Sequence, residues 1–103
     1  GLPDITDDFM AQVSVLAPHG IGNPTPVFSS AAVNIAAPPR ILKERHLKLQ
    51  LEQDGAKFQA VAWRMAELEP TLDRQAPLDI AYTVEPDDYW GGWQLTLKDI
   101  RSR

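Results

Sequence analysis

The stretch that decides the fold is "HLKLQLEQDGAKFQAVAW", residues 46–63. Leucines alternate with polar residues over positions 47–52, which is the pattern of a strand with one buried and one solvated face. Asp54-Gly55 supplies residues that tolerate positive φ, as a tight hairpin turn requires. The apolar alternation then resumes over positions 58–62. The stretch therefore predicts a β-hairpin whose leucines face a core.

The segments on either side of this hairpin predict three more strands and a helix. Residues 64–72, "RMAELEPTL", are good helix formers with a proline near the end, which predicts a short helix. Apolar residues alternate again over 78–84 and 93–97, which predicts a second hairpin. Small and β-branched residues upstream predict a first strand over 27–36.

A further helix is predicted before the first strand. Thr6 is a suitable N-cap for residues 7–16, and the acidic residues of the first turn are favoured by the helix dipole. The whole order is typical of the OB-fold: a mainly β, five-stranded barrel with a short helix between strands 3 and 4, here with a short N-terminal helix. We predict that residues 1–26 are an N-terminal helix and Gly/Pro connector forming the tail of a preceding domain, and that 27–103 form the OB-fold domain.

Composition limits the chemistry. The 103 residues fit one small domain, and a net charge of −4 argues mildly against strong, sequence-independent DNA binding. The chain has no cysteine, and its two histidines, His19 and His46, have no partner at metal-ligand spacing. No nucleophile elbow or Walker loop occurs, and no apolar run is long enough for a membrane span. We therefore expect no catalytic residue, no metal or cofactor and no membrane contact in this chain.

Basic residues cluster after the first strand. Four of them lie within nine positions: Arg40, Lys43, Arg45 and Lys48. We place the first three in the loop between the first and second strands, and Lys48 on the polar face of the second, where OB-folds bind oligonucleotides. Arg64, at the end of the third strand, extends the group. Such residues form the basic groove that single strands require, but they are equally typical of an ordinary solvated surface.

Two tryptophans are candidate stacking residues. Trp63 is out of phase with the apolar residues before it, so it lies either on the outer face as a platform or under the short helix. Trp90 follows Tyr89 in the loop between the fourth and fifth strands, where OB-folds often contact ligand. The neighbouring Asp87 and Asp88 would repel phosphates, and Trp90 could equally cap an open end of the barrel.

The stretch "HGIGNPTP", residues 19–26, contains a Gly-x-Gly pattern. Glycines of this kind can bring backbone amides close to a phosphate, but Pro24 and Pro26 stand where the phosphate-binding helix would begin. We interpret the stretch as a rigid elbow that feeds the chain into the first strand.

Three stretches, "LAPHGIGNPTPVF", "RHLKLQLEQDGAKFQAVAW" and "GGWQLTLKDIR", resemble the C-terminal part of the RecJ family of bacterial single-stranded-DNA-specific 5′-to-3′ exonucleases. In that family a Pro-Phe-Gly-x-Gly-Asn-Pro-x-Pro-x-Phe signature leads into an OB domain that contains His-Leu-Lys. The most specific matches are Gly20, Gly22, Asn23, Pro24, Pro26 and Phe28. His19 departs from the pattern, because the family usually has phenylalanine there.

The resemblance implies a non-catalytic domain of a cytoplasmic enzyme of DNA repair and recombination. Its nuclease core, with an Asp-His-His motif that binds Mn²⁺ or Mg²⁺, would lie outside this chain. The domain would bind single-stranded DNA through the basic loop and Lys48, then Arg64, with Trp63 and Trp90 as stacking residues, and guide it to the core. Implied partners are single-stranded DNA, the nuclease core of the same polypeptide, and a single-strand-binding protein or helicase. The alternative is an architectural or protein-interaction barrel that packs on the core or binds a repair partner.

Overall fold

The leucine-rich hairpin forms two adjacent strands of a six-stranded sheet in a computed structural model that describes residues 1–16 and 26–102. One α-helix and six strands follow each other along this part of the chain: α1 Asp7–Leu16, β1 Phe28–Ile35, β2 Arg40–Leu42, β3 His46–Gln53, β4 Ala56–Ala62, β5 Leu78–Pro86 and β6 Trp93–Ser102. Two 3₁₀ helices span Leu2–Asp4 and Ala66–Thr71.

The hairpin β3–β4 is confirmed, with its turn at the predicted Asp54-Gly55. Its strands pair antiparallel from Leu47 opposite Ala62 to Gln53 opposite Ala56. The turn residue Gly55 has a φ of 88°, and its amide donates to the Glu52 side chain at 2.9 Å. The leucines of β3 are buried at the centre of the core, so the period-2 pattern correctly predicted which face points inward.

The strands close into a five-stranded barrel. Their order is β1–β5–β6–β4–β3, and β3 returns to β1 through the pair Ile35 and Leu51. The pairing of β4 with β6 is parallel, with Ala60 opposite Leu95, while the other pairs are antiparallel. A bulge in β1 around Ala32, whose φ is 57°, allows this strand to pair with β5 first and β3 afterwards. The predicted mainly β OB-fold is confirmed.

The short strand β2 is a correction to the sequence prediction, which placed Arg40 in a loop. β2 pairs with β3 from Arg40 opposite Lys48 to Leu42 opposite His46. It uses the same edge of β3 that β1 uses further along the chain. The run Pro38-Pro39 cannot donate hydrogen bonds to a ladder, so it interrupts one long strand and conceals its continuation in the sequence.

The N-terminal segment packs into the barrel. Leu2 is wholly buried in the same core as the strands. Its amide donates to the Gln53 side chain at 2.8 Å, and the Gln53 amide group donates to the Ala31 carbonyl at 2.6 Å. The predicted helix α1 is confirmed at 7–16, with the Thr6 hydroxyl accepting the Phe9 amide at 3.1 Å. The domain division at residue 26 stays a prediction.

Most of the Gly/Pro motif lies outside the described residues, namely Gly20, Gly22, Asn23 and Pro24. Phe28, its last residue, begins β1, and its ring lies 5.7 Å from the Phe9 ring and 6.1 Å from the Tyr82 ring, between centroids. The Tyr82 hydroxyl shares a buried 2.7 Å hydrogen bond with the Ser30 hydroxyl. Burial raises the pKa of Tyr82 above its ordinary value, although the Ser30 hydrogen bond opposes this.

The short helix between β4 and β5 is a 3₁₀ helix. Pro70 lies inside it, where it would remove a hydrogen bond from an α-helix. The observed bonds join residues three apart, from the Leu68 amide to the Met65 carbonyl and from the Leu72 amide to the Glu69 carbonyl. These three apolar side chains pack against the core: Met65, Leu68 and Leu72.

Candidate nucleic-acid interface

The outer face of β2, β3 and β4 is polar because it alternates with the buried face. Across these strands the register pairs Arg40 with Lys48, Gln50 with Gln59, and Glu52 with Lys57. The same alternation that buries the leucines of β3 therefore exposes a row of hydrogen-bonding side chains on one surface. We call this surface the β2–β4 face.

Arg40 and Lys48 lie directly opposite each other on the β2–β4 face. Arg40 is exposed and Lys48 is half-buried, and both line a shallow depression of about 350 Å³ together with Gln50 and Gln59. Like charges at opposed positions of a strand pair repel, so an anion bound between them would be stabilised.

The two cations have no carboxylate partner in the described chain. Ion pairs there join the N-terminus of Gly1 to Asp4 and Arg101 to Asp99, and neither involves Arg40 or Lys48. Neutralisation of Arg40 and Lys48 is therefore left to solvent ions or to a ligand.

Lys43 and Arg45 lie in the turn between β2 and β3. Lys43 and Glu44 have left-handed backbones, with φ of 51° and 60°. The Arg45 amide donates to the Leu42 carbonyl, and the Arg45 carbonyl accepts the Ala66 amide, each at 3.1 Å. The turn is thereby tied to the start of the 3₁₀ helix that follows β4.

This link brings Arg45 next to Arg64. Both line a cavity of about 540 Å³, which Glu44 and Glu67 also line. The carboxylates reduce the positive potential there, so this cavity is less suited to an isolated phosphate than the Arg40–Lys48 pair. Lys43 is exposed, and the structure assigns it no partner within the described residues.

Trp63 lies on the β2–β4 face rather than under the 3₁₀ helix. Its side chain is 54% exposed, and its ring is 4.8 Å from the His46 ring between centroids, at an interplanar angle of 78°. Arg64 follows with a φ of 60°, and its amide donates to His46 Nδ1 at 3.0 Å. Of the two positions left open by the sequence, the structure adopts the one in which the tryptophan is accessible.

Trp90 lies in the β5–β6 loop, residues 87–92, and is 72% exposed. Tyr89 is 82% exposed, and the two rings meet edge to face at 4.8 Å. One oxygen of Asp87 accepts both of their amides, at 3.1 Å from Tyr89 and 3.0 Å from Trp90. Asp87 is buried with one oxygen turned to these amides, whereas Asp88 is exposed. Repulsion of phosphates by the two aspartates stays a prediction.

The β5–β6 loop adjoins the β2–β4 face. Trp90 lines a second depression of about 350 Å³, to which Lys57, Gln50 and Gln59 also contribute. The two glutamines line the Arg40–Lys48 depression as well. Arg40 and Lys48 therefore lie at one side of a continuous surface and Trp90 at the other. Arg45 and Arg64 line a separate cavity that shares no lining residue with these two depressions.

Sequence reasoning missed four residues of this surface: His46, Gln50, Lys57 and Gln59. Lys57 and the glutamines could have been found, because the hairpin alternation places them on the same face as Lys48. The contact of His46 with Arg64 has no sequence signal, because the two residues are 18 positions apart and meet only through strand pairing.

This surface can bind anions and flat rings. In the parts of the chain that the structure describes, no group of three or more histidine, cysteine, aspartate or glutamate side chains could hold a metal ion. Nor does any helix in residues 1–16 and 26–102 combine the length and hydropathy needed to cross a membrane.

Comparison with known proteins agrees with the observed fold. The family model described as the RecJ OB domain matches residues 1–99. A search of curated proteins found no match. The family match covers the N-terminal segment and all six strands apart from the last residues of β6. The fold and this match lead to one conclusion, that the chain belongs to the RecJ OB domain family.

Proposed function

We propose that this chain is the single-stranded-DNA-binding domain of a RecJ-like 5′-to-3′ exonuclease and guides the strand to a nuclease core outside the chain. The observation that carries the proposal is the cross-strand pair Arg40 and Lys48, which lacks a carboxylate partner among the described residues and lies on the same face as the accessible Trp63. Single strands are bound by basic surfaces that follow the phosphates and by aromatic rings on which bases stack.

The net charge of the chain and the local charge of its basic segment have opposite effects on DNA binding. With a net charge of −4 the whole molecule repels DNA. The basic residues of β2, the following turn and the start of β3, residues 40–48, attract it locally, and we call this segment the β2–β3 region. We therefore expect weak binding by this chain alone that strengthens steeply as salt is lowered. In the proposed enzyme, the nuclease core supplies the Mn²⁺- or Mg²⁺-dependent hydrolysis, and the pure chain is expected to leave a labelled oligonucleotide intact with either ion.

The test is a titration of a labelled single-stranded oligonucleotide at two salt concentrations. Each lost phosphate contact should reduce the slope of log affinity against log salt by about 0.7. Arg40→Glu/Lys43→Glu/Arg45→Glu is expected to weaken binding by about tenfold or more and to flatten this slope. The same triple change in the intact exonuclease should weaken its DNA binding.

A matched control is the triple variant Arg74→Glu/Lys98→Glu/Arg101→Glu, which changes the net charge equally but leaves the β2–β4 face and the turn after β2 intact. If both triple variants lose the same affinity, the effect is one of overall charge and the assignment of the site is wrong. Absence of binding by the wild-type chain and by the intact enzyme at low salt would refute the proposed function.

The alternative is a protein-interaction barrel, and the exposure of Tyr89 and Trp90 favours it. Two adjacent aromatic side chains on a loop held by Asp87 present a rigid apolar surface, as protein-binding anchors often do. If this function is correct, Trp90→Ala removes binding of a repair partner while oligonucleotide affinity changes little. Partner binding that is unchanged in Trp90→Ala would remove the basis for this alternative.

A further inference from the structure

We propose that His46 is a positioning residue of the interface, holding Arg64 and Trp63 in place with a single imidazole ring. The inference deepens the proposed function and rests on it for its binding consequence. It starts from two contacts of the His46 side chain: the hydrogen bond from the Arg64 amide to Nδ1 and the edge-to-face contact with the Trp63 ring.

The hydrogen bond has a definite backbone consequence. Arg64 has a φ of 60°, a left-handed conformation that is unfavourable for a residue with a side chain. This conformation ends β4 at Ala62 and turns the chain toward the 3₁₀ helix. The acceptor on His46 compensates this cost, because the Arg64 amide at the end of the strand receives a partner at 3.0 Å. Nδ1 accepts only when the neutral ring carries its proton on Nε2.

The ring contact determines the orientation of Trp63. A tryptophan that is 54% exposed would otherwise sample several rotamers on the surface. The T-shaped contact at 4.8 Å restricts the indole, so less side-chain entropy is lost when a base stacks on it.

The same end of β3 also holds the basic turn. Arg45 precedes His46, and its carbonyl accepts the Ala66 amide at 3.1 Å. Two hydrogen bonds, one at Arg45 in the turn and one at His46 at the start of β3, therefore join this part of the chain to the segment that follows β4. Arg45 and Arg64 also line the same cavity. His46 thus couples the position of the stacking residue to that of the cations.

Three variants of the full chain separate the two contacts. His46→Asn keeps an acceptor at the position of Nδ1 but lacks the ring. His46→Phe keeps a ring beside Trp63 but lacks the acceptor, and His46→Ala lacks both. Asn34→Ala is the matched control, because it removes an exposed cross-strand hydrogen bond, to Glu52, at the opposite end of β3.

The first readout is hydrogen exchange of the Arg64 amide, which requires no DNA. We expect exchange at least about tenfold faster in His46→Ala and His46→Phe than in the wild type, and near-normal exchange in His46→Asn. Unfolding by urea is measured in parallel to detect any loss of global stability. If a variant exchanges faster only because the whole domain is less stable, buried amides such as that of Leu49 should exchange faster by the same factor.

The second readout is affinity for the labelled oligonucleotide at low salt. We expect His46→Ala to bind about three- to tenfold more weakly, with smaller losses for His46→Asn and His46→Phe, and with Asn34→Ala unchanged. Unchanged Arg64 exchange, or full affinity in a folded His46→Ala, would overturn the inference and leave the proposed function standing. If the wild-type chain and the intact enzyme fail to bind, the proposed function is refuted, and the exchange data alone decide whether His46 holds Arg64.

Discussion

The β2–β3 region and the β5–β6 loop border the same surface but are organised in opposite ways. In the first, hydrogen bonds reach distant parts of the chain: the Arg45 carbonyl binds Ala66 and the His46 ring binds Arg64. In the second, the loop is held from within, because the Asp87 carboxylate accepts the amides of the two aromatic residues that follow it.

The chemistry of the two regions differs in parallel. The β2–β3 region carries cations without carboxylate partners in the described chain, whereas the β5–β6 loop carries exposed aromatic rings beside the exposed Asp88. Cations provide long-range, salt-sensitive attraction, and aromatic rings provide short-range contact that salt affects little. Electrostatic attraction by the cations and short-range contact by the aromatic rings can therefore be disturbed separately, because each region is held by its own hydrogen bonds.

The largest effect is expected from a change in the hydrophobic core, which supports both regions. Leu49 is buried at the centre of β3, so Leu49→Ala should lower the free energy of unfolding by about 2–5 kcal/mol through lost burial and a cavity. Urea denaturation followed by circular dichroism measures this loss. Leu42→Ala is the control, because its side chain is 38% exposed and should cost much less. Equal losses would mean that the leucines of β3 are not the core.

A smaller loss of stability is expected from a change that disturbs only the β5–β6 loop. Asp87→Ala leaves the amides of Tyr89 and Trp90 without their acceptor, and we expect it to cost about 1–2 kcal/mol of stability. Hydrogen exchange should accelerate at these two amides and remain normal at Arg64.

Asp87→Asn is the matched control for this loop, because its amide oxygen can still accept both bonds. Faster exchange at Arg64 in Asp87→Ala would contradict the independence of the two regions.

The smallest effect concerns the barrel that supports both regions. The pKa of Tyr82 is raised above 10.0 in the folded state because burial disfavours the phenolate. As the pH rises, the Tyr82 hydroxyl therefore loses its proton at a lower pH in the unfolded chain than in the folded protein. The contribution of this group to the free energy of unfolding is complete below pH 10 and is lost as the pH rises above that value. Tyr82→Phe should flatten the fall in stability at alkaline pH, measured by urea denaturation at a series of pH values. The exposed Tyr89 provides the control, since Tyr89→Phe should leave that fall unchanged.

The sequence by itself determined the N-terminal helix, the order of the five barrel strands and the family, but not the short strand β2. Alternation of leucines in β3, a turn at Asp54-Gly55 and an N-cap at Thr6 are local signals, readable because each depends on residues close together in the chain. The basic residues of the candidate site could be named for the same reason, since four of them fall within nine positions.

Tertiary structure alone decided what depends on distant parts of the chain meeting. The parallel pairing of β4 with β6 is part of the closed barrel. Burial of Leu2 in the core packs the N-terminal segment against the strands. The contact of His46 with Arg64 follows from the pairing of β3 with β4, since register and long-range hydrogen bonds have no local pattern. The types of the side chains were therefore readable in the sequence, but which of them share a surface was decided by closure of the barrel.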